Sequence, residues 1–305
     1  MFNLFFNYIL CIFALKFKLF IMIQQYKHDN QQIAIFADIH GEFDLLISKL
    51  KNINNLNNSV LICAGDIGVG FKNIEYYNKM FSTLNAVLRK INSVLYCIRG
   101  NHDDPSYFND NIINKSNVKL IKDYSIISVG NKNILCIGGA VSIDRKYRIS
   151  NYQRRLDSYM LLMQSTLEDA MEHIFPSYWE NELPKYDEEK LNELLVNGIN
   201  ISFVVTHTSP SFCYKNDKNG IEYWINNDSK LNDDLTYERN QLDLILNKLI
   251  EDGHMIEKWV YGHFHGHNEE EHDNIKYIAL YNSDYIFDYH ILKKNNKKFV
   301  FLKKT

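Results

Sequence analysis

Residues 32–41 read QIAIFADIHG, an apolar run that ends in a turn carrying Asp38 and His40. The run is rich in β-branched and aromatic residues, which predicts a short strand. Its continuous apolar character is typical of a strand that is covered on both faces. Side chains two residues apart point the same way on an extended backbone, so we expect Asp38 and His40 to converge on one site.

Apolar runs of this kind recur along the chain and predict strands at residues 32–37, 59–64, 93–98, 133–137, 201–206 and 258–261. Helical spacing of apolar residues predicts helices between them, at residues 43–50, 73–91 and 236–252. Thr236 is a candidate N-cap of the last helix, and Gly253 a candidate residue just beyond its end. Strands that alternate with helices predict an α/β fold.

Composition excludes some classes of protein. The chain has 305 residues and a formal net charge of −3, with 34 basic and 37 acidic residues. This balance lacks the strongly basic footprint of a nucleic-acid binder. The five cysteines form no CxxC pair, and Cys63, Cys97 and Cys136 lie in apolar runs where we expect them to be buried. These features favour a reducing, cytoplasmic location.

The first 23 residues are strongly apolar and allow three interpretations. A cleaved signal peptide would need a basic start and a small-residue cleavage site, and neither is visible. A membrane anchor would need about 20 apolar residues, but Lys16 and Lys18 interrupt the stretch, and Lys27 would keep the rest of the chain inside the cell. The third interpretation is an extension outside the fold, with Met22 as the true start.

We therefore predict an apolar extension or anchor over residues 1–30 and one domain over residues 31–305. Membrane contact is expected only through residues 2–23. Within the domain, residues 140–192 break the alternation of strands and helices, with a cluster of arginines followed by Tyr178 and Trp179. Long connections in compact domains are usually functional, so we expect this excursion to form a cap over the site.

Polar residues with metal-binding chemistry follow five of the predicted strands. Because strand ends meet at one edge of an α/β sheet, we expect these side chains to lie close together. Carboxylate, amide and imidazole ligands suit Mn, Fe or Zn, and no thiolate is offered. The residues in question are Asp38, His40, Asp66, Asn101, His102, His207, His263 and His265.

The arrangement of these residues resembles the signature blocks of the calcineurin-like metallophosphoesterases. The blocks are DIHG at 38–41, GD at 65–66, GNHD at 100–103, TH at 206–207 and GHFH at 262–265. The stretch GGAVS at 138–142, with Asp144 and its neighbours, is similar to a subgroup of small microbial phosphoesterases. The resemblance implies an α/β sandwich of two mixed β-sheets flanked by helices.

The resemblance also implies a centre of two divalent metal ions, Mn, Fe or Zn. It assigns Asp38, His40 and His265 to the first ion, Asn101, His207 and His263 to the second, and Asp66 to a bridge between them. Such centres hydrolyse phosphate esters by direct attack of a hydroxide shared between the ions. The expected substrate is a phosphate ester, and the oligomeric state stays open.

The expected catalytic histidine is His102, which would protonate the leaving alkoxide or stabilise the phosphoryl oxygens. In the related protein phosphatases a carboxylate after the Gly-Asp block orients this histidine. Here that block continues as GVG at 68–70 and offers no carboxylate. We expect Asp103, or else Asp104, to take this part.

The protein phosphatases also carry an arginine after the Gly-Asp block, and this chain has none there. We expect Arg145 and Arg148 of the excursion, with Arg154 as an alternative, to bind the phosphate, since guanidinium groups make paired contacts with phosphate oxygens.

Several functions remain open. We expect hydrolysis of phosphomonoesters, with a nuclease or a cyclic-nucleotide phosphodiesterase as the alternative. A non-enzymatic scaffold with the same fold is less favoured, because such scaffolds typically lose the ligands that are intact here.

Overall fold

The computed structural model describes residues 23–29, 32–52, 56–110, 112–113, 115–213 and 220–280, and the short strands at 282–283, 286–287 and 290–292. The expectations about an anchor or signal within residues 1–22 lie outside this part of the chain. None of the helices in the described part combines the length and apolar character that a membrane span requires.

The strands fall into two large sheets and one short pair. They are β1 Gln25–His28, β2 Gln32–Phe36, β3 Ser59–Ala64, β4 Val94–Ile98, β5 Val118–Leu120, β6 Ser125–Val129, β7 Lys132–Ile137, β8 Phe203–Thr206, β9 Lys258–Tyr261, β10 Asn268–His272, β11 Ile275–Ala279, β12 Asn282–Ser283, β13 Ile286–Phe287 and β14 His290–Leu292.

The helices lie between these strands or in the excursion. They are α1 Phe43–Asn52, α2 Ile74–Lys90, α3 Ser106–Asn109, α4 Arg145–Met163, α5 Leu167–His173, α6 Glu188–Val196, α7 Ile221–Asn227 and α8 Leu231–Glu251.

The two large sheets are both mixed. One has the strand order β14-β2-β3-β4-β5, and the other β1-β6-β7-β8-β9-β11-β10. In the first sheet only the pairing of β14 with β2 is antiparallel. In the second sheet the pairs β6–β7 and β10–β11 are antiparallel and the others parallel. The expected sandwich of two mixed sheets is therefore confirmed.

Alternate residues of each central strand face different parts of the core. In β2, Ile33 and Ile35 pack against residues of the second sheet such as Val205, whereas Ala34 and Phe36 pack under α1 and α2. On the far side of the second sheet, α6 and α8 cover residues such as Trp259. Because both faces of these strands are covered, their sequences are continuously apolar.

Residues 25–28 lie inside the fold rather than in the extension expected over residues 1–30. They form β1, which pairs with β6 in parallel. The side chain of Tyr26 packs on Tyr96, with ring centroids 4.7 Å apart. The alternation of exposed and half-buried residues in β1 marks an edge strand, whose pattern is too short and too polar to stand out in the sequence.

The last long helix begins earlier than the sequence pattern predicted. It starts at Leu231, so Thr236 is not its N-cap but an internal residue whose hydroxyl donates to the Asn232 carbonyl. Gly253 does lie just past the helix, with a φ of 77°. The cysteines of the described chain, Cys63, Cys97, Cys136 and Cys213, are all buried and not in disulfides.

The excursion between β7 and β8 is fastened to the end of β4. Arg99, the residue after β4, donates N–H groups to the carbonyls of Asn181, Glu182 and Leu183 at 3.1, 2.8 and 2.8 Å. Its guanidinium also pairs with Asp123 at 2.8 Å. One arginine thus fixes the returning arm of the excursion beside the strand ends that carry the polar residues.

Candidate metal centre

The polar residues gather where the ends of both sheets meet. Asp38, Asp66 and Asn101 follow β2, β3 and β4 of the first sheet, whereas His207 and His263 follow β8 and β9 of the second. From the sequence, these side chains were expected at one edge of a single sheet. The structure instead uses the carboxyl ends of two facing sheets, which is why strands far apart in the sequence contribute to one place.

The turns that carry these side chains have unusual backbone geometry. Asp38, His40, Asp66, His263 and His265 all have positive φ, between 50° and 71°. Residues other than glycine rarely adopt this conformation, and it concentrates at functional sites. Asp38 and His40 therefore converge through a left-handed turn and not, as predicted, through an extended backbone.

Backbone hydrogen bonds hold the carboxylates in place. The N–H of His263 donates to both carboxylate oxygens of Asp38 at 3.1 Å. The N–H of His102 donates to Asp66 Oδ1 at 2.7 Å, and the N–H of His40 to the Asp66 carbonyl at 2.7 Å. The carboxylates are thus oriented by the same turns that supply the histidines.

Two glycines leave room for ligand side chains. A Cβ at Gly65 would lie 2.1 Å from Nδ1 of His207, and one at Gly100 would lie 2.0 Å from Oδ1 of Asp66. Each GD or GN pair in the sequence therefore combines a polar residue with a glycine that lets another polar side chain approach.

The first group of donors consists of Asp38, His40 and His265. The Nε2 atoms of His40 and His265 lie 3.0 Å apart. Asp38 Oδ1 lies 3.6 Å from Nε2 of His265 and 4.0 Å from Nε2 of His40. One donor atom from each residue falls within 4.8 Å of the others, as a shared cation would require.

The second group is centred on Asn101. Its Oδ1 lies 3.2 Å from Nε2 of His207 and 3.0 Å from Nδ1 of His263. Asp66 stands between the two groups, with Oδ1 3.3 Å from Nε2 of His207 and Oδ2 3.7 Å from Nε2 of His40. One carboxylate therefore faces both sets of donors.

The chemistry of this donor set fits two divalent cations. Asp66 is buried, which raises its pKa, but the nearby His207, His102 and His40 outweigh that effect and hold the pKa well below its usual range. Burial lowers the pKa of His207, but Asp66 outweighs it and raises the pKa to about 9. The pocket thus stabilises ionised carboxylates beside positive charge, and its oxygen and imidazole donors are those that Mn, Fe and Zn prefer.

His102 lies beside this centre and contacts Arg148 rather than a carboxylate. Its Nε2 is 2.6 Å from Nη2 of Arg148, and Nε of Arg148 pairs with Asp144 at 2.7 Å. Burial lowers the pKa of His102 to about 4; Asp66 opposes this shift, and the charge of Arg148 adds to it. His102 is therefore a neutral acceptor for the guanidinium in this arrangement.

The structure does not bring Asp103 or Asp104 to His102 in the expected way. The carboxylate of Asp103 accepts the N–H groups of Ile67, Gly68, Val69 and Gly100 at 3.2, 2.7, 3.1 and 2.8 Å. Asp104 accepts the N–H of Ser106 at 2.9 Å. Asp103 thus joins the two loops that carry Asp66 and Asn101, because its position after the histidine points it into backbone amides.

The arginines of the excursion have different surroundings. Arg148 lines a cavity of about 240 Å³ together with Asp66, Asn101 and His102. Arg145, expected to bind phosphate, instead pairs with Asp228 and Asp234, both at 2.6 Å. Arg154 is exposed. Arg145 and Arg148 lie about one turn apart on the same face of α4, so the difference comes from what each side chain meets. Arg145 reaches the carboxylates of Asp228 and Asp234, whereas Arg148 reaches His102 and the Asn101 carbonyl.

Sequence reasoning missed one buried group behind Asn101. Nδ2 of Asn101 donates to the Ser142 hydroxyl at 3.1 Å, which in turn donates to Glu182 Oε2 at 2.6 Å. The Ser142 N–H donates to Glu182 Oε1 at 2.7 Å. Ser142 lies in the GGAVS stretch that the sequence singled out, but no local pattern connects it with Glu182.

Comparisons with known proteins agree with this picture. The family model for calcineurin-like phosphoesterases matches residues 32–267. Similar solved structures include a dimetal phosphatase from Danio rerio, with 13% identity and a TM-score of 0.48 over 87% of this chain and 93% of that one. Protein TT1561 of Thermus thermophilus shares 10% identity with a TM-score of 0.41, over 82% of this chain and 88% of its own.

The phosphopantetheinyl hydrolase of Mycobacterium tuberculosis shares 13% identity with a TM-score of 0.38, over 82% of this chain and 88% of its own. No curated protein sequence matches the chain. The family model spans most of the sequence and all five signature blocks. The chain therefore belongs to the calcineurin-like phosphoesterase family and is a metal-dependent hydrolase of phosphate esters.

Proposed function

We propose that this protein hydrolyses phosphomonoesters at a centre of two divalent ions. The observation that supports two ions is the position of Asp66, whose two carboxylate oxygens face separate sets of donors. The first set is Asp38, His40 and His265, and the second is Asn101, His207 and His263. When bound, such ions make hydroxide available near neutral pH and offset charge that develops on the phosphoryl oxygens.

Arg148 is the proposed phosphate-binding residue of the chain itself. Its guanidinium lines the same cavity as Asp66 and forms an ion pair with Asp144, which also lines the cavity. A guanidinium donates two parallel N–H groups to phosphate oxygens, which suits the dianion of a monoester. A phosphodiester carries one negative charge less and needs room for a second organic group.

His102 is the proposed partner of Arg148 at the phosphoryl group. Nε2 of His102 accepts a hydrogen bond from Nη2 of Arg148, so this nitrogen carries no proton in the arrangement seen here. A substrate that draws Arg148 onto its phosphate would free Nε2 to take a proton from water, and the protonated ring would then donate it to the leaving alkoxide.

The test is a panel of monoesters and diesters, assayed with the full chain and Mn. We expect turnover of phenyl phosphate to exceed that of bis(p-nitrophenyl) phosphate, and His102→Ala to lose at least about 100-fold in kcat, a usual size for such a residue. The variant should retain its metal content, measured by mass spectrometry. Faster turnover of the diester would move the function to the phosphodiesterase alternative, and unchanged turnover in His102→Ala would remove its proposed role.

We also infer a cytoplasmic location. The four buried cysteines of the described chain carry no disulfide, which is typical of a reducing compartment. Fractionation of cells that express the full chain tests this, and recovery in the membrane fraction would favour an anchor at residues 2–23.

A further inference from the structure

Two kinds of side chain line the cavity beside the proposed metal centre. The charged and polar ones are Asp66, Asn101, His102, Asp144, Arg148, His263 and His265. The other three are the aliphatic Val141 and Ile143 and the aromatic Trp224. A substrate bound here contacts both charged groups and apolar side chains.

Ion pairs hold the end of α7, the helix that carries Trp224. The N–H of Asp228 donates to the Trp224 carbonyl at 2.9 Å. The Asp228 carboxylate pairs with Nε of Arg145 at 2.6 Å, and Arg145 also pairs with Asp234 of α8 at 2.6 Å. Arg145 precedes Arg148 by three residues on α4, so these ion pairs fix the end of α7 relative to the helix that carries the proposed phosphate-binding arginine.

This lining indicates where the parts of an ester lie. Its phosphoryl oxygens require the charged and hydrogen-bonding groups around Arg148. The organic group is then left with Val141, Ile143 and Trp224. Sugar hydroxyls or peptide amides placed against these side chains would lose several hydrogen bonds to water, and the indole N–H of Trp224 would replace only one of them. A planar ring loses no such bonds, buries apolar area and stacks in an offset manner on an indole.

We infer that the preferred substrates carry a planar, apolar organic group, such as an aryl ring, bound against Trp224. This inference rests on the proposed function, because that function places the phosphoryl group. Trp224 is thereby a specificity-determining residue. Arg145 is a positioning residue that holds the end of the helix carrying Trp224 and does not itself contact phosphate.

The test measures binding of methyl-, phenyl- and cyclohexylphosphonate to the Mn-loaded full chain by calorimetry. Phosphonates are not hydrolysed, so binding is measured independently of turnover. We expect phenylphosphonate to bind roughly tenfold more tightly than methylphosphonate, the size of one aromatic stacking contact. It should also bind more tightly than cyclohexylphosphonate, which has a similar bulk but no planar face.

Three variants identify the source of this preference. Trp224→Leu should lose most of the difference in affinity between phenylphosphonate and methylphosphonate, and Trp224→Phe should keep most of that difference. Tyr237→Leu is the control, since Tyr237 is an aromatic residue of α8 that does not line the cavity and has 43% of its surface exposed. Thermal unfolding checks that each variant is folded.

The outcomes separate this inference from the proposed function. Equal binding of the phenyl and cyclohexyl compounds to the unmodified protein would overturn the inference without any variant. A ratio of phenyl- to methylphosphonate affinity that Trp224→Leu leaves unchanged, or that Tyr237→Leu lowers equally, would also overturn it. Tight, Trp224-dependent binding of phenylphosphonate without hydrolysis of any ester would instead contradict the proposed function and leave the planar site standing.

Discussion

At the scale of single residues, Asp66 combines three features that single sequence positions rarely reveal. It is buried, it has a φ of 54°, and its two oxygens face different histidines. The sequence identified it only through the GD block, because one aspartate after one glycine is a common pair. The left-handed backbone at five ligand positions was not predictable, since asparagine, aspartate and histidine merely tolerate that conformation.

Replacement of Asp66 by Asn should weaken the binding of both proposed ions, because the amide keeps the shape of the side chain but removes its charge. We expect the affinity for Mn to fall at least about tenfold at each site, by analogy with the usual effect of disturbed metal environments. Calorimetric titration of metal-free protein measures this. The control is Asp44→Asn, at an exposed carboxylate on α1. Loss at only one of two sites would contradict the bridging position.

Gly65→Ala should destabilise the protein more than the backbone alone explains. Gly65 has a φ of 92°, and its Cβ would lie 2.1 Å from the His207 ring. Gly253→Ala is the matched control, with a φ of 77° and nothing within 4 Å. We expect each variant to lose about 1 kcal/mol of its free energy of unfolding because of the backbone conformation. Gly65→Ala should lose a further 1–3 kcal/mol or so because of the clash with His207.

Urea unfolding of the two variants provides the comparison. Equal losses in free energy of unfolding would show that His207 moves aside at no cost, and would argue against a rigid cradle around it.

At the scale of elements, local patterns predicted the central strands, whereas their arrangement in two mixed sheets was expected only from the family resemblance. The strands at 59–64 and 258–261 match the structure, because runs covered on both faces are apolar at every position. Their division into two sheets depends on which runs pair, and the local sequence does not encode that. The polar edge strand β10, with sequence NEEEH, gave no signal at all.

The excursion between β7 and β8 shows the same limit of local sequence patterns near the candidate site. Its arginines were visible in the sequence, but which of them faces the site depends on where α4 begins and what it packs against. Glu182 could not be assigned to the site from the sequence, because it lies 40 positions from Ser142. It lies beside Ser142 in the structure because Arg99 holds the returning arm of the excursion.

Ser142→Ala should lower the affinity of the second metal site. The Ser142 hydroxyl accepts from Asn101 Nδ2, and this orients Oδ1 of Asn101 towards His207 and His263. Groups in this position typically contribute about 10–100-fold to metal affinity. Titration with Mn should show one site weakened and the other unchanged, whereas Glu180→Gln, at an exposed residue of the same segment, should match the unmodified protein. An equal loss of Mn affinity at both sites would show that Ser142 supports the structure in general and does not act through Asn101.

At the scale of the whole molecule, the fold is a sandwich whose two sheets each bring polar side chains to a common end. The signature blocks predicted which side chains meet there, and the structure brings their donor atoms together. The blocks did not predict how the surrounding segments complete the cavity. Val141 and Ile143 lie on the loop after β7 and Trp224 lies on α7, while Arg145 of α4 pairs with Asp228 and Asp234 beside them.

The stability of the metal-free protein should depend on pH through Glu182. Burial raises the pKa of this carboxyl from 4.5 to about 8. The folded state therefore binds more protons than the unfolded state between these values, and stability falls as pH rises through that window. Glu182→Gln should show a shallower fall. Urea unfolding across this pH window, with a chelator present, measures the difference, and parallel curves would contradict the raised pKa.

Anomalous diffraction from crystals soaked in Mn tests whether two cations share Asp66 at the junction of the sheets. We expect two peaks about 3.5–4 Å apart, the usual spacing of such pairs. One peak should lie among Asp38, His40 and His265, the other among Asn101, His207 and His263, with one oxygen of Asp66 on each. A single peak, or peaks remote from Asp66, would show that this carboxylate does not bridge two ions.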